Sequence, residues 1–366
     1  MRSRNTQIAP RRIVPLLIAV LLFVCPSVYG QSLSQQIDSY VSSRVKGQEF
    51  SGIVLVALDG KVVVQNAYGM ADHEYSVPNT PQTKFRIGSV TKPLTAIAVA
   101  KLQEMGKLDF EDSICKFISD CPAEWQLVRI RHLLTHTSGI PDLFGAMDAV
   151  PVEKTSDEID RIVKSLKNRQ LQGQPGEEYK YSNFGYCLLG YVIEKASGKL
   201  YTPFLTENIL GPVGMSGTLY DDPRPIINER AQGYVRKDGQ VYNDKLTDPA
   251  GYSAGGLLST AGDLFLLDRA LFSGKLLSKK SLDRMFTAYK NEYGFGWKVT
   301  SRGGKRLYNH TGATHGFSAH IARYPDDDVL IVILSNIETE NASETASWIA
   351  EIVFDPERKS GAEPGR

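Results

Sequence analysis

The chain has 366 residues, 42 of them lysine or arginine and 41 aspartate or glutamate, for a formal charge of +1. With 42% apolar residues, that length suffices for a well-buried core in one large domain or two intimately packed ones. Near-neutrality gives no electrostatic footprint for nucleic acid, and the interspersed charges read as a solvated surface.

The first residues read as a targeting segment. MRSRNTQIAPRR is basic, and IVPLLIAVLLFV is an apolar run too short to span a bilayer, which needs about 20 residues. CPSVYG follows, with Val28 and Gly30 placed for cleavage before Gln31. Residues 1–30 therefore read as a secretory signal peptide, with a retained anchor as the alternative. The mature protein is then secreted or periplasmic in a bacterium and keeps no stable membrane span. It retains Cys115, Cys121 and Cys187. Cys115 and Cys121 fit either a disulfide or two separate thiols, because spacing carries no geometry. Cys187, inside YCLLGYVIEKA, reads as a buried small hydrophobe. No Cys-x-x-Cys pair or Cys–His cluster suggests zinc.

LSQQIDSYVSSRV spaces Leu33, Ile37, Tyr40, Val41 and Val45 along one helical face. SGIVLVALDGKVVVQNAYG is two β-rich runs joined by Asp59-Gly60, a strong hairpin signal. From Thr91 to about Ala270 the pattern is mostly helical, punctuated at PGEEYKYSNFG, GPVGMSG and DDPRPII. Strands return at YGFGWKVT, KRLYNHTG, FSAHIARYP and VLIVILSN, with PDDD as a turn. A last helix over about Ala342 to Val353 precedes the polar tail ERKSGAEPGR. Strands at both ends with helices between predict an α+β fold. Its antiparallel sheet is built from N- and C-terminal strands and flanked by helices, with a mostly helical inserted region. The domain plan is a signal over 1–30, one compact catalytic unit over 31–356, and a tail over 357–366.

Three short motifs carry the chemistry. In FRIGSVTKPL, Ser89 and Lys92 stand three apart where a turn becomes an apolar helix. The bland reading makes Ser89 an N-cap and Pro93 a first-turn residue, and Ser43 and Ser113 open similar strings. In EEYKYSNFG, Tyr181 and Asn183 precede a second apolar helix. There the bland reading has Tyr181 packing its ring while Asn183 caps that helix. In NHTGATHGFSAH, His310-Thr311-Gly312 ends a β-patterned run, where glycine lets another backbone approach closely.

Taken in order, the three motifs make the sequence resemble the serine β-lactamases and penicillin-binding peptidases, in particular the class C β-lactamase-like branch. The likeness extends to KFRIGSVTKPLTAIAVAKLQEMGKLDFEDSI, IRHLLTHTSGIPD and YSAGGLLSTAGDL, and covers nearly all of the mature chain. It implies a β-lactamase/transpeptidase-like fold and an acyl-enzyme mechanism needing no cofactor and no metal. The implied substrates are an acyl-D-amino acid, an ester or a β-lactam. A D-alanyl-D-alanine carboxypeptidase-like or D-peptidase activity leads, followed by a carboxylesterase and a class C-type β-lactamase. A non-catalytic scaffold on the same fold is the contrasting class.

Chemistry and resemblance together assign roles. A serine hydroxyl needs an adjacent base, and residues three apart on a helix share a face, so Lys92 can reach the Ser89 oxygen. Lys92 serves as that base only if burial lowers its pKa, and apolar Leu94, Ile97, Ala98 and Val99 predict such burial. The resemblance makes Ser89 the acylated nucleophile, Lys92 a proton acceptor and Tyr181 a proton carrier. It also makes Asn183 a substrate-amide and Lys92 partner, and places Thr311 and Gly312 on the edge where substrate lies. The backbone N–H groups of Ser89 and Ala313 are the implied oxyanion donors, typically worth about 3–4 kcal/mol. His310 stands where many relatives carry lysine, and an ordinary histidine is mostly neutral at pH 7. This tilts the reading away from an efficient β-lactamase and predicts falling activity as His310 protonates below about pH 6. His132 and His136 are four apart, but Leu133 stands where a metalloprotease helix needs glutamate. His136 is expected to fix the HTSG turn, and His315 to reach substrate. His320 reads as structural, while Trp125 and Tyr252 are candidate pocket walls or core.

Overall fold

The computed structural model describes residues 26–143, 155–165, 170–244, 251–338 and 341–355. Most of the expected signal segment and the expected polar tail lie outside them. Six strands form the central antiparallel sheet: Gly52–Leu58 (β1), Lys61–Tyr68 (β2), Lys298–Arg302 (β3), Lys305–Thr314 (β4), Phe317–Tyr324 (β5) and Val329–Ser335 (β6). Their spatial order is β3-β4-β5-β6-β1-β2. Distant chain ends therefore meet at the β1–β6 pair, in register from Gly52 opposite Ser335 to Leu58 opposite Val329. The β1–β2 hairpin turns through Asp59 and Gly60, both with left-handed backbone (φ 47° and 73°), as its Asp-Gly pair requires.

The sheet is apolar on both faces because helices cover both. Val54, Val56, Ile331 and Ile333 pack toward Pro26–Lys46 (α1) and Ala342–Phe354 (α5), where Tyr40 stacks on Trp348. Ile53, Leu55, Val332 and Leu334 pack on the other face, with Thr91–Glu104 (α2), Asn183–Ser197 (α3) and Ala261–Phe272 (α4). Helix α2 is buried almost all round over Thr91 to Ala100, in keeping with its apolar run Leu94 to Ala100, which only Thr95 interrupts. Among the described residues no helix is long and apolar enough to cross a membrane.

Two expectations need correction. The strand read as YGFGWKVT begins only at Lys298. The preceding residues form a turn in which Gly296 has φ 77°, and a β-carbon there would lie 2.8 Å from the Lys92 carbonyl oxygen. The middle of the chain also holds strands that helical periodicity does not predict. Leu257–Ser259 lies between Phe85–Arg86 and Leu219–Tyr220, and Tyr234–Lys237 pairs with Gln240–Asn243. The latter hairpin turns at Asp238-Gly239, the same kind of signal as the first hairpin. Cys115 and Cys121 are joined by a disulfide, and Cys187 is buried within α3.

Candidate active site

Ser89 lies in a single 3-10 turn, Gly88–Val90, that runs directly into α2. It does not cap the helix: no side-chain cap bond forms there, and its oxygen faces the cleft instead. Lys92 Nζ lies 2.9 Å from Ser89 Oγ and also donates to Asn183 Oδ1 at 2.7 Å and to the Ala254 carbonyl at 2.9 Å. A neutral amine has two hydrogens and one lone pair. With Asn183 and Ala254 taking the two hydrogens, the lone pair is directed at the Ser89 hydroxyl. Burial drives the Lys92 pKa from 10.5 down to about 7, as the apolar helix predicts.

Tyr181 reaches the same oxygen, its hydroxyl donating to Ser89 Oγ at 2.9 Å while its ring centroid lies 4.8 Å from Lys92 Nζ. The residue is 39% exposed, yet packing about the phenol raises its pKa above the ordinary 10 and keeps it protonated. Helix α3 starts immediately after this tyrosine. Its N-cap is Ser182, which accepts the Gly185 N–H at 2.9 Å, and not Asn183 as the bland reading has it. Asp142 secures the same end by accepting the Phe184 N–H at 2.9 Å. Asn183 is thereby left free of capping and turns to Lys92.

Strand β4 forms the third wall. Strand β3 pairs with it only as far as Asn309, so from His310 onward that edge carries no strand neighbour among the described residues. His310 and Gly312 point inward, while Thr311 and Ala313 are exposed. Gly88, with φ 49°, lets β4 close on the turn that carries Ser89: a β-carbon there would lie 3.0 Å from Ala313 N. His310 is brought into the site, but it does not touch Ser89. Its Nδ1 lies 2.8 Å from the Thr311 carbonyl and its Nε2 2.8 Å from the Tyr293 hydroxyl. Since a carbonyl only accepts, Nδ1 carries the hydrogen and Nε2 accepts from Tyr293. Burial lowers the His310 pKa to about 3, with the charge of Lys92 adding to the effect. The expectation that activity falls below pH 6 through His310 is therefore corrected, because this imidazole stays neutral throughout that range.

Residues 37–354 match the family model for β-lactamase. The chain belongs to the β-lactamase family. It is a serine hydrolase of that fold, and the arrangement about Ser89 suits such chemistry. A penicillin-binding protein of Bacillus subtilis is 33% identical over 342 residues, covering 86% of this β-lactamase-family chain and 74% of the relative. An octameric penicillin-binding protein homologue from Pyrococcus abyssi superposes with a TM-score of 0.77 at 29% identity, covering 88% and 78% of the two chains. A D-amino acid amidase of Ochrobactrum anthropi, at 24% identity and a TM-score of 0.74 with 89% and 99% covered, shares the fold.

Several positions in this hydrolase differ from expectation. Trp125 and Tyr252 are buried core and not pocket walls; the Tyr252 hydroxyl donates to Glu194 at 2.6 Å. His136 does not tie its own turn but accepts the Ser182 N–H at 3.1 Å. His315 lies 3.9 Å from Asp244. His320 pairs with Thr311 Oγ1 at 2.8 Å, beside the open edge of β4. Among the described residues no group of three or more His, Cys, Asp or Glu could hold a metal. Sequence reasoning missed Tyr293, Asp142 and the Ala254 carbonyl. Asp142 and Ala254 each left a signal, lying inside the IRHLLTHTSGIPD and YSAGG stretches that carry part of the family likeness.

Proposed function

We propose that the protein is an exported serine acyl-hydrolase working through an acyl-enzyme, most like a D-alanyl-D-alanine carboxypeptidase or D-peptidase. The observation that carries this reading is the placement of Ser89 Oγ between Lys92 Nζ and Tyr181 OH, each 2.9 Å away. Lys92 takes the Ser89 proton as Oγ bonds to the substrate carbonyl carbon. The N–H groups of Ser89 and Ala313 receive the developing oxyanion. Tyr181 gives its proton to the leaving nitrogen or oxygen as that bond breaks. In the second half, Tyr181 recovers a proton from the attacking water, and Lys92 returns its own to Ser89 as the acyl group departs. Asn183 holds Lys92 and meets the substrate amide, and Thr311 and Gly312 present the strand edge. His310 is a positioning residue here, because both of its nitrogens are engaged elsewhere.

The cleft beyond Thr311 favours a substrate with an anionic leaving end. Lys298 and Arg302 line it together with Asn309, His320, Ser343 and Ser347, and Arg302 is paired with Glu351 at 3.5 Å. Lys298 supplies a positive charge beside a neutral His310, where many relatives have lysine, and so revises the inference drawn from His310 alone. Export is supported by the basic-then-apolar start of the sequence and by the Cys115–Cys121 disulfide, a bond of oxidising compartments.

The test is covalent labelling. Incubation with a fluorescent penicillin and with a fluorophosphonate, followed by intact-mass measurement, should show one adduct that is absent in Ser89→Ala. No adduct with either reagent would support the scaffold reading, and an adduct persisting in Ser89→Ala would misplace the nucleophile. Turnover of a D-Ala-D-Ala peptide against p-nitrophenyl acetate then separates peptidase from esterase.

A further inference from the structure

His136 is 2% exposed and has a left-handed backbone, with φ 56°. It grips the neighbouring segment at two points. Its carbonyl accepts the Lys180 N–H at 2.8 Å, and its Nδ1 accepts the Ser182 N–H at 3.1 Å. Tyr181 lies between the two gripped residues. The tyrosine ring rests on the imidazole, centroids 4.3 Å apart and planes tilted by 36°. Because Nδ1 faces a backbone donor, the neutral ring carries its hydrogen on Nε2. That nitrogen is buried with no hydrogen-bond partner among the described residues, and the rings of Tyr293 and Tyr186 pack on the imidazole with centroids 4.6 and 5.0 Å from its own. An unpaired buried donor lowers stability, so folding alone does not account for histidine here.

We propose that His136 is a positioning residue: its two backbone bonds and one ring contact set the Tyr181 hydroxyl on Ser89 Oγ. The proposal rests on the reading of Tyr181 as the proton carrier. No hydrogen bond joins His136 to Ser89 or Lys92, so it transfers no proton itself. Its acceptor role requires the neutral ring, since a protonated Nδ1 would oppose the Ser182 donor. Burial and the neighbouring charge of Lys92 hold the ring neutral.

A double-mutant cycle tests this. His136→Gly suits the left-handed backbone and removes the ring, whereas His136→Asn also tolerates that backbone and keeps an acceptor. His136→Gly should lower kcat about a hundredfold while KM moves less than about threefold, and His136→Asn should regain at least about tenfold of the loss. In a Tyr181→Phe background, His136→Gly should cost less than about threefold more, because both changes remove one function. An equal loss in both backgrounds, or full activity in His136→Gly, overturns the clamp and leaves the Tyr181 reading standing. A fully active Tyr181→Phe enzyme sinks both. Should the glycine variant fail to fold in a melting scan, the asparagine variant takes its place, and its smaller loss must likewise vanish in the Tyr181→Phe background.

Discussion

Gly312 lies so close to Ile87 that a β-carbon at position 312 would sit 2.0 Å from the Ile87 carbonyl oxygen and 3.0 Å from Ser89 N. The obstructing atoms are backbone, which cannot swing away as a flexible side-chain end could. Strand β4 and the turn that carries Ser89 are therefore held at a spacing that only glycine permits. Gly312→Ala should force them apart, cost about 1–3 kcal/mol of stability and lower kcat/KM at least about a hundredfold. Thermal melting and steady-state kinetics check this. An alanine enzyme with wild-type turnover would show that Ser89 N and Ala313 N need not keep this spacing.

The pH profile should report Lys92 and not His310. A base is active when unprotonated, so kcat/KM should rise with pH through a midpoint near the Lys92 pKa of about 7. His310, held near 3, stays neutral across the measurable range and adds no limb. A profile from about pH 4 to 9 on wild type and His310→Gln decides the assignment. An ascending limb that disappears in His310→Gln would transfer the titration to the histidine.

Lys92→Met should abolish acylation, with a loss of about 10²–10⁴-fold or more, and should change how stability depends on pH. The folded-state pKa is depressed from 10.5 to about 7, so between these values the unfolded chain binds a proton that the folded chain does not. Wild-type stability therefore rises with pH across that window and levels off below it, where both states are protonated. The stability of Lys92→Met relative to wild type should fall by up to about 1.4 kcal/mol per pH unit between about pH 7 and 9. Denaturant titrations at several pH values measure it. A difference independent of pH would mean that the buried lysine is not discharged by its surroundings.

Much of this architecture was legible before any coordinates. The Asp59-Gly60 hairpin, the apolar helix behind Ser89, the C-terminal strands and the final helix all announce themselves through local patterns. So do the motifs at Ser89, Tyr181 and His310, because each is a short string with its own context. The short strands at Leu219 and Leu257 were not legible, since two- or three-residue strands leave no periodicity. Tyr293 was hidden for a related reason: it is one tyrosine among 17, in a segment that reads as a strand yet folds as a turn.

By itself the sequence determined which chemical groups are available, which segments bury an apolar face, and that a serine and a lysine share one helical turn. Local spacing encodes those properties, and local spacing is fully present in a string of residues. Tertiary packing alone decided that Tyr181 and Lys92 meet at one oxygen, that Ser182 and not Asn183 caps its helix, and that both nitrogens of His310 are engaged. The reason is that desolvation and hydrogen-bond partnership are properties of neighbours in space. Those neighbours come from strands and turns far apart along the chain.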